Sequence, residues 1–383
     1  MIIGIDIRNI GKKRTGDEAV FLNLVKNLAK TDSTNQYLLL TDITNTDDIS
    51  ILRSIEEMLE IKDSKNFKII SLKTSNKFTW NFWTLSQYLR KNRVDVYHTQ
   101  YILPFFVPKS TKLVTHIHDI SFNFYPQFIK WTDLFFLKTL IPWSIRRADK
   151  VIAVSEFTKK EIIKFYQTPE EKIEVVYNSI GENSCEEYSK DEIEKVKKKY
   201  NLPEKFLLYV GTLQPRKNIP FLINGFALLR DKMPDYKLVL VGKKGAHNYD
   251  KEIDVAIEKN NLQGTVLFTG YVEGVDLPAI YQLADIFVLP SLYEGFGIPI
   301  LEAMKNSVPV VASDIPVFRE VAKEAAEYFD IQSLDKFTEV VYNISINSNL
   351  RDRLINSAKI RINVFSWEKS AQRILEIYQK INN

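Results

Sequence analysis

Residues Asp285–Asn306 read DIFVLPSLYEGFGIPILEAMKN. Ile286–Leu289 is a short apolar run held between Asp285 and Pro290, which predicts a buried strand of a parallel sheet. Pro299 suits a first helical position, and Leu301, Ala303 and Met304 continue a helix beyond it. Between strand and helix lies the loop Tyr293-Glu294-Gly295-Phe296-Gly297. In an open α/β sheet ligands bind beyond the carboxyl ends of the strands, where helix N-termini direct unpaired N–H groups at them. The loop is therefore expected to hold something anionic or rich in hydroxyls. Gly295 and Gly297 let the backbone come close to such a ligand. Glu294 in the loop and Glu302 in the first helical turn place two carboxylates toward one cleft. A carboxylate accepts two hydrogen bonds from a vicinal diol, the group a sugar or ribose ring presents. Taken singly, each acid reads as a helix-dipole partner or a solvated loop residue. Their joint position, around two glycines and after a buried strand, favours the ligand.

The remainder of the chain repeats this alternation. Strands are predicted at Ile2–Ile7, Tyr37–Leu40, Phe67–Ser71, Val94–Tyr97, Leu113–Ile117, Val151–Val154 and Ile173–Val176. A second series falls at Phe206–Val210, Lys237–Val241, Thr265–Phe268, Ile286–Leu289, Val308–Ala312 and Glu327–Phe329, with helical patterns between them. One such helix, Ala19–Lys30, carries Leu22, Val25, Leu28 and Ala29 on one face. This pattern predicts an α/β protein with two doubly wound, Rossmann-like domains. At 383 residues the chain is too long for one ordinary core. Residues 1–183 form the first domain and 184–365 the second, with Asn183–Tyr188 as hinge; residues 366–383 add a final helix with Ala371, Ile374, Leu375 and Tyr378 at helical spacing.

Hydrophobic residues make up 45% of the chain and charged ones 26%, as in ordinary globular proteins. The single cysteine, Cys185, excludes an internal disulfide and cannot make a metal cluster alone, which suits a reducing compartment. The N-terminus opens straight into a strand without a basic leader, and no apolar run is long enough to span a bilayer, so a cytoplasmic protein is expected. Residues 1–183 carry 26 basic and 21 acidic side chains, the remainder 26 and 27. A mildly basic first half fits an anionic acceptor or lipid surface and falls far short of nucleic-acid binding.

A second constellation, Gly211-Thr212-Leu213-Gln214-Pro215-Arg216-Lys217-Asn218, follows a buried strand and precedes a helix near Ile219-Pro220. Adjacent cations above a helix N-terminus suit a diphosphate: Arg216 can grip two oxygens in a fork while Lys217 acts as a compact charge. No Asp-x-Asp triplet and no His, Cys or carboxylate cluster has metal-ligand spacing. Charge on a departing diphosphate would then be met by side chains and helix dipoles.

The run Glu294-Gly295-Phe296-Gly297 through Glu302 resembles the E-G-F-G-x-x-x-x-E motif of the retaining GT-B glycosyltransferases, of the group 1, family 4 type. The G-T-L-x-P-R-K-N run matches as well, and the likeness extends loosely over the first half. The resemblance implies a GT-B fold, two Rossmann-like domains facing a cleft, with the C-terminal helix crossing back to the first. It implies transfer of a sugar from a nucleoside-diphosphate donor to a glycan, lipid-linked saccharide or small-molecule acceptor. Retention of configuration, no metal and no other cofactor go with it, as does a place in polysaccharide or glycolipid assembly. Lys217, Arg216, Glu294 and His118 are the expected catalytic residues, with Glu302 on the ribose. Gly16, Asp119, Gly211, Thr212, Gly242, Tyr271, Val272, Gly295, Phe296, Gly297 and Ile298 complete the expected nucleotide-sugar site. His116, deeper on the same strand as His118, reads as structural. A second glycine usual in the family's first loop is replaced here by Glu18, whose charge would repel a diphosphate. Glu18 is therefore expected to turn toward the acceptor, or its loop to stand away from the donor. The alternatives are a GT-B phosphorylase or sugar-phosphate synthase, and a non-catalytic nucleotide-sugar-binding subunit.

Phe128–Arg147 mixes Trp131, Phe135, Phe136 and Trp143 with Lys130, Lys138, Arg146 and Arg147. It reads as a buried helix pair broken at Pro142, the favoured form, or as an interfacial helix giving peripheral contact with the inner face of a membrane.

Overall fold

The computed structural model describes residues 1–12, 16–44, 49–181, 188–246 and 248–382. Lys13, Arg14, Thr15, Cys185 and the expected hinge up to residue 187 lie outside the described residues. The chain divides into two compact units, one of Met1–Phe124, Trp131–Asn178 and Ser366–Asn383, the other of Tyr125–Lys130 and Ser179–Phe365.

In the first unit β1 (Ile2–Asp6), β2 (Gln36–Thr41), β3 (Phe67–Ser71), β4 (Val96–Gln100), β5 (Lys112–Ile117), β6 (Lys150–Ala153) and β7 (Ile173–Val175) form one parallel sheet. Their order is β3-β2-β1-β4-β5-β6-β7. In the second unit β8 (Phe206–Val210), β9 (Lys237–Val241), β10 (Val266–Gly270), β11 (Ile286–Leu289), β12 (Val310–Ser313) and β13 (Ala326–Phe329) are also parallel, in the order β10-β9-β8-β11-β12-β13. Two parallel-sheet α/β domains of this kind make the two-domain Rossmann-like GT-B fold. Central strands such as β8 and β11 are buried at every residue, so they read as unbroken apolar runs.

The predicted strands are present; most bounds move by a residue or two, as where the expected Val308–Ala312 is Val310–Ser313, and one moves further. The run expected at Val94–Tyr97 is β4, Val96–Gln100. Asp95 sits just before it and accepts from the Ile2 N–H through Oδ2 at 2.8 Å. The strand then continues through buried His98 and Thr99, polar residues that an apolar pattern does not mark.

The helix Asp17–Thr31 buries Val20, Phe21, Leu24, Val25 and Leu28, a face rotated from the expected one, which included Leu22 and Ala29. It packs on the final helix, Trp367–Asn382, which belongs to the same unit. Ala371, Ile374 and Tyr378 of that helix are buried.

The expected break at Pro142 is absent: Trp131–Arg147 is one helix with Pro142 inside it. Proline costs a helix the hydrogen bond to the carbonyl four residues back, here Lys138. Lys138 is exposed, so water can meet that carbonyl.

Candidate active site

Each sheet order reverses once, between β1 and β4 and between β8 and β11, and in open α/β sheets ligands bind beyond the strand ends at such a reversal. The two decisive sequence runs leave β8 and β11, so the topology sets them side by side. Leu292 N–H donates to the Arg216 carbonyl at 2.9 Å, which ties the two loops together.

Pro215–Lys217 forms a single 3-10 turn, and Asn218, at φ 56°, opens the helix Ile219–Leu229. The turn aims both cations at Glu294. Arg216 Nη1 donates to Glu294 Oε2 at 3.0 Å and to the Tyr293 carbonyl. Lys217 Nζ donates to Glu294 Oε1, which also accepts from Ser291 Oγ at 2.8 Å. Ser291 is fixed in turn, because its carbonyl accepts from Ser313 Oγ at 2.6 Å. Burial pushes the Glu294 carboxyl up, but the charges and hydrogen bonds of Lys217 and Arg216 outweigh it and hold the group at about 2. Glu294 is thus ionised at any working pH. Two cations against one carboxylate leave a net positive charge in the loop pair, beside the helix that begins at Ile219.

Glu302 is the fifth residue of the helix Ile298–Lys305, one turn later than expected. A helical side chain leans toward the N-terminus, so its carboxylate still serves the helix start. Tyr281 Oη donates to Glu302 Oε2 at 2.8 Å. Burial raises the Glu302 carboxyl above the usual glutamate range, with the Tyr281 bond opposing. Gly297 precedes the helix at φ 106°, a left-handed conformation that favours glycine. Phe296 is buried, its ring edge-on to Phe365 at 5.6 Å.

Gly242 follows β9, and a Cβ there would meet the Gly211 carbonyl at 2.4 Å, so only glycine lets these two loops close up. Gly242 N–H donates to the Gly270 carbonyl at 3.1 Å, which brings Tyr271 and Val272 to the same strand ends. Tyr271 is exposed and Val272 buried. The Thr212 carbonyl accepts from Tyr209 Oη at 2.8 Å, and the Tyr209 hydroxyl lies in the field of Glu294 and Arg216.

In the first unit His118 follows β5 directly. Burial lowers its imidazole, while the nearby charges of Asp17 and Asp119 oppose the shift. Asp119 Oδ1 accepts from the N–H and the hydroxyl of Ser121, and so holds a turn. Gly16 precedes the helix Asp17–Thr31. Glu18 Oε1 accepts from Gly11 N–H at 2.8 Å: the acid folds back on its own loop.

His118 is the outer member of a stack the sequence does not reveal. His116 lies against it at 4.9 Å and 20°, and His98 against His116 at 5.6 Å and 4°. His98 Nδ1 and Tyr378 Oη share a hydrogen bond of 2.6 Å, and Phe21 borders all three rings. Neither nitrogen of His116 meets a hydrogen-bond partner. Burial, then the neighbouring imidazoles, lowers His98 to about 3 and His116 well below its usual value. Unfolded histidine takes up a proton near pH 6.5 while the folded column stays neutral. Stability is therefore complete above pH 6.5 and declines as pH falls below it, by about 1.4 kcal/mol at pH 5.5 for His98 alone. The melting temperature should be several degrees lower at pH 5.5 than at 7.5. His116→Leu should flatten that dependence, since it removes a buried histidine held well below its usual value; an unchanged slope would count against the column.

The sequence missed Ser291, Tyr281 and Tyr125. Ser291 could have been taken from its place three residues before Glu294. Tyr281 lies on the preceding helix and carries no signal. Tyr125 comes from the first half of the chain but belongs to the second unit, where its hydroxyl donates to the Leu292 carbonyl at 3.3 Å and its ring meets Tyr293 edge-on. No group of three or more metal-ligating side chains is found among the described residues.

Comparison with known proteins agrees with this architecture. The profile described as "Glycosyl transferases group 1" matches residues 190–361, and that of "Glycosyltransferase Family 4" residues 16–182. The chain is 30% identical over 294 residues to O-antigen chain mannosyltransferase B of Escherichia coli, covering 76% of each. Sucrose-phosphate synthase from Thermosynechococcus elongatus shares the fold, with TM-score 0.76 at 18% identity over 100% of this chain and 99% of that one. So does Anabaena HepE, solved in complex with UDP-glucose, with TM-score 0.74 at 20% identity over 99% and 100%. With two halves matched in order and a relative this similar along three quarters of its length, the chain belongs to the group 1, family 4-like glycosyltransferases.

Proposed function

We propose that this glycosyltransferase moves a hexose from a nucleoside-diphosphate sugar to a growing saccharide, free or lipid-linked, with retention of configuration and without a metal, in assembly of a surface polysaccharide at the cytoplasmic membrane face. The observation that carries the donor assignment is the pairing of Arg216 and Lys217 on Glu294 at the β8/β11 reversal. Charge that builds on a departing diphosphate would meet these cations without any reorganisation of the loops. Glu302 would accept from the ribose hydroxyls, Glu294 would share its charge with the donor sugar's hydroxyls, and the amides of Gly295, Phe296 and Gly297 would face sugar or phosphate. His118, neutral at working pH, would position the reacting sugar. The E. coli relative is named a mannosyltransferase and Anabaena HepE was solved with UDP-glucose, which makes a nucleoside-diphosphate hexose the first donor to try.

The test is release of nucleoside diphosphate and labelled sugar transfer across a panel of nucleotide sugars, with saccharide acceptors in one arm and sugar phosphates or inorganic phosphate in the other. Transfer to saccharides is expected. Turnover only with phosphate acceptors would favour the phosphorylase or sugar-phosphate synthase reading, and no turnover with any donor that binds would favour the non-catalytic one. Because burial raises Glu302, donor affinity should begin to fall at a higher pH than an ordinary glutamate would set, as the protonated acid stops accepting from the ribose. Donor titrations between pH 7.5 and 4.5 check this; a flat profile argues against Glu302 as the ribose contact.

A further inference from the structure

The Nε2 of His118 is buried and meets no hydrogen-bond partner among the described residues. An imidazole in a working site is ordinarily oriented by the hydrogen bond that its second nitrogen makes. Here Nε2 makes none, so the orientation falls to packing, and three rings from three parts of the first unit supply it. His116, two residues earlier on the same strand, lies nearly parallel to the His118 ring at 4.9 Å and 20°. Phe21, from the helix Asp17–Thr31, meets it edge-on at 6.5 Å and 70°. Tyr101, the residue after β4, meets it edge-on at 5.4 Å and 61°.

Two of these neighbours are unfavourable choices for stability alone. Tyr101 has φ 57°, in the left-handed region that a bulky side chain seldom enters. The turn is held there from both sides: the Tyr101 N–H donates to the His116 carbonyl at 3.0 Å, and its carbonyl accepts from buried Thr115 Oγ1 at 3.0 Å. Backbone strain of this kind persists only where the surroundings over-determine it, and it gathers at working sites. His116 buries both ring nitrogens without a hydrogen-bond partner among the described residues, where phenylalanine would pack with no polar group to satisfy. Both residues converge on one imidazole. We propose that Tyr101 and His116 are positioning residues that grip the His118 ring, Tyr101 at its side and His116 against its face, and hold it at one angle to the reacting sugar. The proposal rests on the reading of His118 as the residue that positions that sugar, and it adds what holds His118 itself.

The test uses the full chain with isotopically labelled histidine and begins without any donor. Nuclear relaxation of the ring Cε1–H signals reports how far each imidazole moves, and His118→Ala identifies the His118 signal by its loss. Tyr101→Asn suits the left-handed backbone while removing the ring, so it should fold, and its melting temperature is checked first. Tyr101→Phe keeps the ring, and His116→Phe keeps the stack without the nitrogens. The His118 ring should be as rigid as the backbone in the wild type, Tyr101→Phe and His116→Phe, and mobile in Tyr101→Asn and His116→Ala. Rates of nucleoside-diphosphate release from GDP-mannose and UDP-glucose then read the consequence. Tyr101→Asn should lower kcat about tenfold with donor KM nearly unchanged, and Tyr101→Phe should keep the wild-type rate. Added to His118→Ala, Tyr101→Asn should lower kcat no further, because it acts through that ring. A His118 ring that stays rigid in both ring-deleted variants, or losses that add in the double variant, would overturn the proposal and leave His118 in its role. A normal kcat in His118→Ala would overturn that role and the proposal with it.

Discussion

Lys217→Ala is expected to lower kcat by about 10²–10³-fold while changing donor KM much less. The ammonium acts on charge that grows as the glycosidic bond to the diphosphate breaks, so its contribution is larger at the transition state than in the bound donor. The fold should survive the change. Glu294 keeps Arg216 Nη1 at 3.0 Å and Ser291 Oγ at 2.8 Å, and Lys217 lies in a turn outside the buried sheet. Initial rates with saturating acceptor, alongside thermal melting, separate the two effects. A variant with near-normal kcat, or one whose melting point collapses, contradicts the role given to Lys217.

Glu294→Ala should have the opposite signature, a loss of stability that exceeds what the deleted atoms bury. Removing the carboxylate leaves Arg216 and Lys217 side by side with no counter-ion, and breaking a buried ion pair on one side costs about 3–5 kcal/mol. The cations here are 19% and 13% exposed, so water screens part of the repulsion and the lower end applies. A loss of about 3 kcal/mol corresponds to a melting point lowered by roughly 6–12 °C. Glu294→Gln, which keeps the shape and one acceptor, should lose less. A nucleoside diphosphate should then raise the melting point of Glu294→Ala more than that of the wild type, because the ligand supplies the missing negative charge. Equal shifts in both proteins would place the diphosphate elsewhere.

Much of this fold was legible because parallel strands announce themselves. Phe206–Val210 and Ile286–Leu289 are buried on both faces and therefore apolar throughout, and their boundaries agree with the sequence reading. The reading failed where burial is polar: β4 runs through His98 and Thr99, which a hydrophobic pattern stops short of. At Pro142 it failed for a different reason, since proline removes one hydrogen bond and an exposed helix face can give that bond to water.

The cleft residues divide in the same way. Arg216, Lys217 and Glu294 belong to short runs whose residue types already imply a charged ligand, and the β8/β11 reversal brings them together. What no sequence run contains is who neutralises whom. Glu294 appeared as a hydroxyl acceptor and is found holding both cations. Glu18 appeared as a charge pointed at a ligand, toward the acceptor or on a loop set apart, and is found accepting from Gly11 N–H. The histidine column was invisible because its members come from two strands, with a helix residue 280 positions away at its end.

Titration calorimetry of the wild type and of Lys217→Ala with GDP and UDP, each against its own monophosphate, tests the diphosphate site most directly. The wild type should bind at least one diphosphate much more tightly than its monophosphate, and the variant should lose that preference. A wild type that prefers neither diphosphate, or a variant that keeps the full preference, would contradict it.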